Sequence, residues 1–139
     1  MKICIVIANY YPKISQDLLK GATKILIQSN IKNFNKITTQ GVFEIPVIVA
    51  KNMKKYDAFI ALACVIKGKT PHFRFISSAA IDALMKLSII NKKPIGNGII
   101  TCLNKKQASI RSSANRKNKG EEAAKAVLSV LGILKNDSK

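Results

Sequence analysis

Acidic residues are scarce in this chain. Seven aspartates and glutamates face 24 lysines and arginines over 139 residues, a formal charge of +17 at pH 7. Such an excess raises nucleic acid or a phosphorylated ligand as a partner. The lysines are nevertheless spread over presumed solvent faces instead of being grouped with aromatic residues. Arginine is rare beside lysine, isoleucine and asparagine, as in AT-rich coding sequence. That pattern disfavours the ring-stacking surfaces of single-strand binders, so nucleic acid is not an expected partner. Cysteine is limited to Cys4, Cys64 and Cys102, which cannot all pair and match no CxxC or Cys/His spacing. A disulfide framework and a zinc site are excluded, which leaves small core residues in a reducing compartment. Long hydrophobic runs are missing too. The stretch Ala58 to Ile66 is half of what a membrane span needs. Met1-Lys2 leads directly into Ile3 to Ala8, and Asn9-Tyr10-Tyr11-Pro12 offers no small-residue cleavage site, so no secretory segment is expected. No repeat, low-complexity segment or Pro/Gly-rich linker divides the chain. With 47% apolar residues spread along it, disorder is excluded, and one cytoplasmic domain over residues 1–139 is expected.

Short apolar runs alternate with longer amphipathic stretches, which predicts βα units and a parallel sheet. The strands are expected at Ile3 to Ala8, Lys36 to Thr39, Asp57 to Ile66 and Ile95 to Thr101. A first helix is expected after Ser15 as N-cap, burying Leu18, Leu19, Ala22, Ile25 and Leu26. A second follows Pro46, with Val47, Ile48, Ala50 and Met53 inside. His72 to Ile90 reads as a long helix with Ile76, Ala80, Ala83, Leu84 and Leu87 on its core face. Lys105 to Ser112 is a short helix, and Glu121 to Leu134 a final one with acidic residues at its favourable N-terminal end. The expected fold is a doubly wound, three-layer α/β/α sandwich on four parallel strands, and such sheets bind ligands beyond the carboxyl ends of their strands.

The segments at those ends carry unusual chemistry. Two rings, Tyr10 and Tyr11, follow strand one. A lone carboxylate, Glu44, sits in the apolar hexapeptide Gly41-Val42-Phe43-Glu44-Ile45-Pro46 after strand two. Lys67-Gly68-Lys69-Thr70-Pro71-His72 follows strand three and ends in the only histidine of the chain. It resembles half a phosphate loop but lacks the GxxxxGK[ST] pattern, so nucleotide binding is weakly supported. Gln107, Arg111 and the Lys117 to Gly120 turn follow strand four. Each has an ordinary structural reading: Tyr10 as a lid on the core, Glu44 as a helix-start carboxylate, His72 as a structural imidazole. Their coincidence on one edge suits a small-molecule site for a planar polar group, hydroxyls and a phosphate.

Five ordered blocks then resemble one family. They are Gly41 to Pro46; Val65-Ile66-Lys67-Gly68-Lys69-Thr70-Pro71-His72-Phe73; Asn97-Gly98-Ile99-Ile100-Thr101; Gln107-Ala108 with Arg111; and Asn118-Lys119-Gly120 with Ala123-Ala124. Their order and spacing, from about residue 2 to residue 134, are similar to those of the 6,7-dimethyl-8-ribityllumazine synthases, the riboflavin synthase beta-chain family. The resemblance implies a flavodoxin-like fold and a transferase that condenses 5-amino-6-ribitylaminouracil with 3,4-dihydroxy-2-butanone 4-phosphate, the penultimate step of riboflavin synthesis. It implies no metal or cofactor, and sites lying between subunits of a homo-oligomer. The downstream riboflavin synthase is a further candidate partner. By the same resemblance Tyr10 stacks on the pyrimidine, and Val42, Phe43 and Glu44 line the ribityl chain. Cys64, Val65 and Ile66 meet the uracil edge. Lys69, Thr70 and Arg111 bind the phosphate, and His72 is the general acid/base. Asn97 stands where the family often packs a phenylalanine on the substrate, and Lys119 approaches the ribityl side from a neighbouring subunit.

The chain departs from the family pattern at Tyr10-Tyr11, where phenylalanine-asparagine is usual, at Asn97, at Arg74 and Lys67, and at Ser78-Ala79. Two readings from other classes stand beside the enzyme: a ligand-retaining module of the same fold without turnover, and nucleic-acid binding through charge. For the assembly a pentamer is expected over a capsid of sixty subunits. Strand one starts at Lys2 or Ile3, with no preceding segment to add to a neighbour's sheet. The Arg116 to Gly120 turn lacks the Ala-Gly found in many capsid versions, and the charge on each subunit opposes a shell.

Overall fold

The strand Ile3–Ala8 (β1) is apolar at every position and buried at every position, as a strand covered on both faces must be. In the computed structural model, which describes residues 1–114 and 117–133, three more strands run parallel to it. They are β2 (Phe34–Thr39), β3 (Ala58–Ile66) and β4 (Ile95–Cys102), arranged in the order β2-β1-β3-β4. The apolar strands β1 and β3 take the centre, and the polar Phe34-Asn35-Lys36-Ile37-Thr38-Thr39 takes an edge, where half its residues can face water.

Five helices cover the sheet: α1 (Pro12–Gln28), α2 (Ile45–Asn52), α3 (His72–Asn91), α4 (Lys105–Ser112) and α5 (Lys119–Val130). Because side chains alternate along a strand, Ile3, Ile5, Ile60 and Leu62 pack under α1, α4 and α5, while Cys4, Val6, Phe59 and Ala61 pack under α2 and α3. The result is a three-layer α/β/α sandwich of the flavodoxin-like type. Among the described residues no helix is long and apolar enough to cross a membrane.

Three local expectations need correction. Helix α1 begins at Pro12, three residues before Ser15, because proline's fixed φ and missing N–H suit the first helical position. Ser15 is fully buried instead, and its hydroxyl donates to the Ala8 carbonyl at 2.7 Å. Helix α2 buries Ile45 and Val49, with Met53 just beyond its end, and turns Val47 and Ala50 to solvent. It is entered from a single 3-10 turn over Val42–Glu44, which sets its rotation. Helix α5 starts two residues before Glu121, at Lys119, so Lys119 and Gly120 belong to a helix and not to a turn. Arg116 and Leu134 lie outside the described residues.

Asn118 caps that helix from inside the protein. It is 2% exposed. Its side-chain oxygen accepts from Glu121 N–H at 3.1 Å, and its amide donates to the carbonyls of Ser112 at 2.8 Å and Asp17 at 3.0 Å. One side chain thus joins the start of α5 to the end of α4 and the first turns of α1. The approach is so close that a Cβ on Gly21 would run into the Asn118 amide, and one on Gly120 into the Leu18 carbonyl. Asn118→Ala removes three hydrogen bonds from the junction of three helices, so it should cost about 2–4 kcal/mol. Urea unfolding at fixed protein concentration measures this, and an unchanged midpoint would refute the anchoring role.

Candidate functional site

In the order β2-β1-β3-β4 the chain leaves β1 toward one side and returns past it to the other. The carboxyl ends of β1 and β3 therefore border the crevice where helices diverge to opposite faces, the general place for a ligand in such a sheet. A cavity of about 500 Å³ opens there, within the range of small-molecule sites. Tyr10 and Tyr11 reach it from the end of β1, Gly41 to Glu44 from beyond β2, and Cys64, Val65 and Ile66 from the end of β3. Gly68, Thr70 and His72 come from the connection into α3.

Each group is positioned by a local device. The Tyr10 ring is 72% exposed and stands edge-on to Tyr11, with centroids 5.0 Å apart and planes at 80°. One broad aromatic face is therefore free at the rim. Glu44 ends the 3-10 turn and, among the described residues, is the only carboxylate on the cavity wall. A Cβ on Gly41 would lie 2.9 Å from its Oε1, so glycine there lets the carboxylate fold back over the turn. His72 is the first residue of α3, exposed, and its backbone N–H donates to Thr70 Oγ1 at 3.3 Å. Ring, carboxylate and imidazole thus share one concavity.

Four residues singled out from sequence are not on that wall. Lys69 is exposed in the loop that leads to His72. Asn97 lies on β4 beside Ile81, Leu84 and Met85, and its side chain accepts from Ile99 N–H at 3.0 Å. Arg111 and Lys119 line a second, basic groove of about 690 Å³ with Lys24, Lys117 and Glu121. Conversely, Phe73 and Ile76 line the cavity. The signal was available, because Ile76 follows His72 by four places and Phe73 by three, and both spacings bring helix side chains together.

Comparison with known proteins bears directly on this arrangement. Residues 1–135 match the family described as 6,7-dimethyl-8-ribityllumazine synthase. The 6,7-dimethyl-8-ribityllumazine synthase of Bartonella bacilliformis is 40% identical over 137 residues, covering 96% of this chain and 90% of the relative. That of Bartonella tribocorum is 41% identical over 136 residues, covering 96% and 89%. That of Buchnera aphidicola subsp. Baizongia pistaciae is 43% identical over 137 residues, covering 95% and 86%. The chain belongs to the 6,7-dimethyl-8-ribityllumazine synthase family.

In this member of the lumazine synthase family, two thiols lie between the cavity and the basic groove. Cys64 on the cavity wall lies beside Cys102. The Arg111 guanidinium donates from Nη1 to the Thr101 carbonyl at 2.8 Å and to Cys102 Sγ at 3.8 Å. Burial pushes Cys64 up to about 12, with the neighbouring Cys102 adding to the rise. Burial likewise pushes Cys4 up to about 11, against a small opposing effect of Tyr56. Cys102 is also raised by burial, against the pull of Arg111. Among the described residues no cluster of three or more His, Cys, Asp or Glu side chains is placed to hold a metal ion.

The thiolate is the nucleophilic form of cysteine, and at pH 8 these groups remain thiols. The native protein should therefore resist iodoacetamide at pH 8, and guanidinium should release all three cysteines to alkylation. Intact-mass spectrometry reads the number of adducts, and rapid native labelling at Cys64 or Cys102 would contradict the packing.

Proposed function

We propose that the chain condenses 5-amino-6-ribitylaminouracil with 3,4-dihydroxy-2-butanone 4-phosphate to give 6,7-dimethyl-8-ribityllumazine, in the cytoplasm, at sites shared between neighbouring copies. The observation that carries the reading is the joint placement of Tyr10, Glu44 and His72 around one cavity, while Arg111 and Lys119 line a separate groove of the same chain. A site completed by the next copy accounts for both. Tyr10 stacks on the pyrimidine. Glu44 accepts hydrogen bonds from ribityl hydroxyls beside Val42 and Phe43, and Cys64 to Ile66 meet the uracil edge mainly through backbone groups. Lys119 approaches the ribityl side from the neighbouring copy, and Asn97 takes the position where the family often packs a phenylalanine on the substrate.

The phosphate sits at the start of α3, where backbone N–H groups and the helix dipole favour an anion. Lys69 and Thr70 hold it there, and Arg111 of the next subunit closes a bidentate clamp. The amine of the uracil attacks the ketone, water leaves to give an imine, phosphate is eliminated, and the ribityl-bearing nitrogen adds to the carbonyl so formed and closes the ring with loss of a second water. Protons move at each stage, and an imidazole such as His72 can both give and take them near neutral pH. Fixed positive charge at the departing phosphate lowers that step. Holding two substrates together contributes more, up to about 7–11 kcal/mol for well-oriented reactants. Mixing both substrates with the protein and following lumazine fluorescence tests the reaction, and ligand binding without product would overturn it.

Two outcomes follow for the shared site. Arg111→Ala should raise KM for the butanone phosphate about ten- to hundredfold, the worth of a charged hydrogen bond, while KM for the pyrimidine changes little. Steady-state kinetics in each substrate measures the split, and equal effects on both would remove the phosphate assignment.

For the assembly, a site completed by the next copy requires a closed homo-oligomer; the family resemblance makes that a pentameric ring, and the +17 charge of each chain works against a shell of sixty. Size exclusion with light scattering should return five subunits. A sixty-subunit particle, or an active monomer, would reject the pentamer.

A further inference from the structure

The first turn of a helix is a poor place for a cation, because the macrodipole there favours carboxylates. Lys119 nevertheless opens α5, and its Nζ donates to Oε1 of Glu122, three places on, at 3.3 Å. Both side chains are partly exposed, so the pair adds little to stability. Its meaning lies in the groove that Lys119 lines with Lys24, Arg111, Lys117 and Glu121. The cations of that groove fall into two classes. Lys24 is covered by Glu121 at 3.3 Å, as Lys119 is by Glu122. Arg111 meets no carboxylate among the described residues, and its Nη1 donates to the Thr101 carbonyl and the Cys102 thiol. Lys117 is exposed and, among those residues, also forms no ion pair.

Pairing changes what an ammonium group binds. A lysine has three donors, and the Glu122 carboxylate occupies one of them. The others suit a neutral hydroxyl. A phosphate drawn to the same nitrogen would be brought against Glu122 as well, like charge against like. We propose that Glu122 is a specificity-determining residue, which covers the charge of Lys119, reserves that lysine for a hydroxyl-bearing substrate and leaves the phosphate to Arg111. The inference rests on the reading that Lys119 faces the ribityl chain and Arg111 the phosphate of one shared site. The groove then offers one neutralised cation and one bare cation, and two substrates that differ in charge are sorted between them. Without Glu122, a phosphate has a second cation to occupy, whether it arrives on the substrate or is released by the reaction. It does so at the expense of the polyol.

Glu122→Gln keeps the length of the side chain and removes its charge. Equilibrium dialysis against labelled inorganic phosphate, in chloride at physiological ionic strength, counts the anions bound per chain. Glu122→Gln should bind an additional phosphate relative to wild type, and the double variant Glu122→Gln with Lys119→Met should lose it again. The thermal midpoint of Glu122→Gln should stay at the wild-type value, and a merely structural role for Glu122 would not add a phosphate. In turnover, inorganic phosphate should become about a two- to fivefold stronger competitor of 5-amino-6-ribitylaminouracil in Glu122→Gln, the worth of one exposed charge pair. If wild-type protein forms no product while Glu122→Gln still gains a phosphate, the condensation fails and the masking of Lys119 stands. An equal phosphate count in Glu122→Gln and wild type, or a gain that persists when Lys119 is replaced, would overturn the assignment.

Discussion

The buried amide of Asn118 is the interaction on which the rest of this structure leans. A polar side chain withdrawn from water is tolerated only when its donors and acceptors are met, and here the oxygen and both amide bonds are used within 3.1 Å. Meeting them forces α1, α4 and α5 to converge on one point. That convergence explains why two helix residues, Gly21 and Gly120, have no side chain. The same closeness reaches the sheet, since a Cβ on Gly96 would strike the Ala123 carbonyl. With α5 seated in this way, Lys119 and Arg111 are brought to one groove.

The distribution of charge over the carboxyl edge has a corresponding logic. Three of the seven acidic residues, Asp17, Glu121 and Glu122, are paired with Lys13, Lys24 and Lys119. These are partly exposed pairs and add little to stability, but they remove carboxylates from competition for cations. Glu44 is left as the acidic group on the cavity wall. An incoming phosphate therefore meets few negative charges, while hydroxyls meet one well-placed acceptor.

Much of this was legible in the residues themselves. The unbroken Ile3 to Ala8 run announces a central strand, and the short helix expected over Lys105 to Ser112 is α4, which the Asn104 side chain caps by accepting from Gln107 N–H at 2.9 Å. The carboxyl-edge segments also stand out, because a ring, a carboxylate and a histidine beyond successive strands must converge in a parallel sheet. Other features depend on distances that no local pattern encodes. Ser15 looks like a cap from sequence, but Pro12 begins the helix and frees the hydroxyl for Ala8. Asn118 lies in a lysine-rich stretch that reads as solvated, and only tertiary packing makes it interior. The rotation of α2 is set by the preceding 3-10 turn, so its apolar sequence alone does not say which side faces in.

The bond from Ser15 to the Ala8 carbonyl also bears on the entropy of recognition. It ties the first turn of α1 back to the last residue of β1. Only Asn9, Tyr10 and Tyr11 separate that strand from the helix, and a backbone so short and so tethered has few alternative conformations. The freedom of the aromatic platform is surrendered once, when the chain folds, and not again at every encounter with a ligand. Binding then loses mainly the ligand's own freedom, which is the thermodynamic advantage of a preorganised surface.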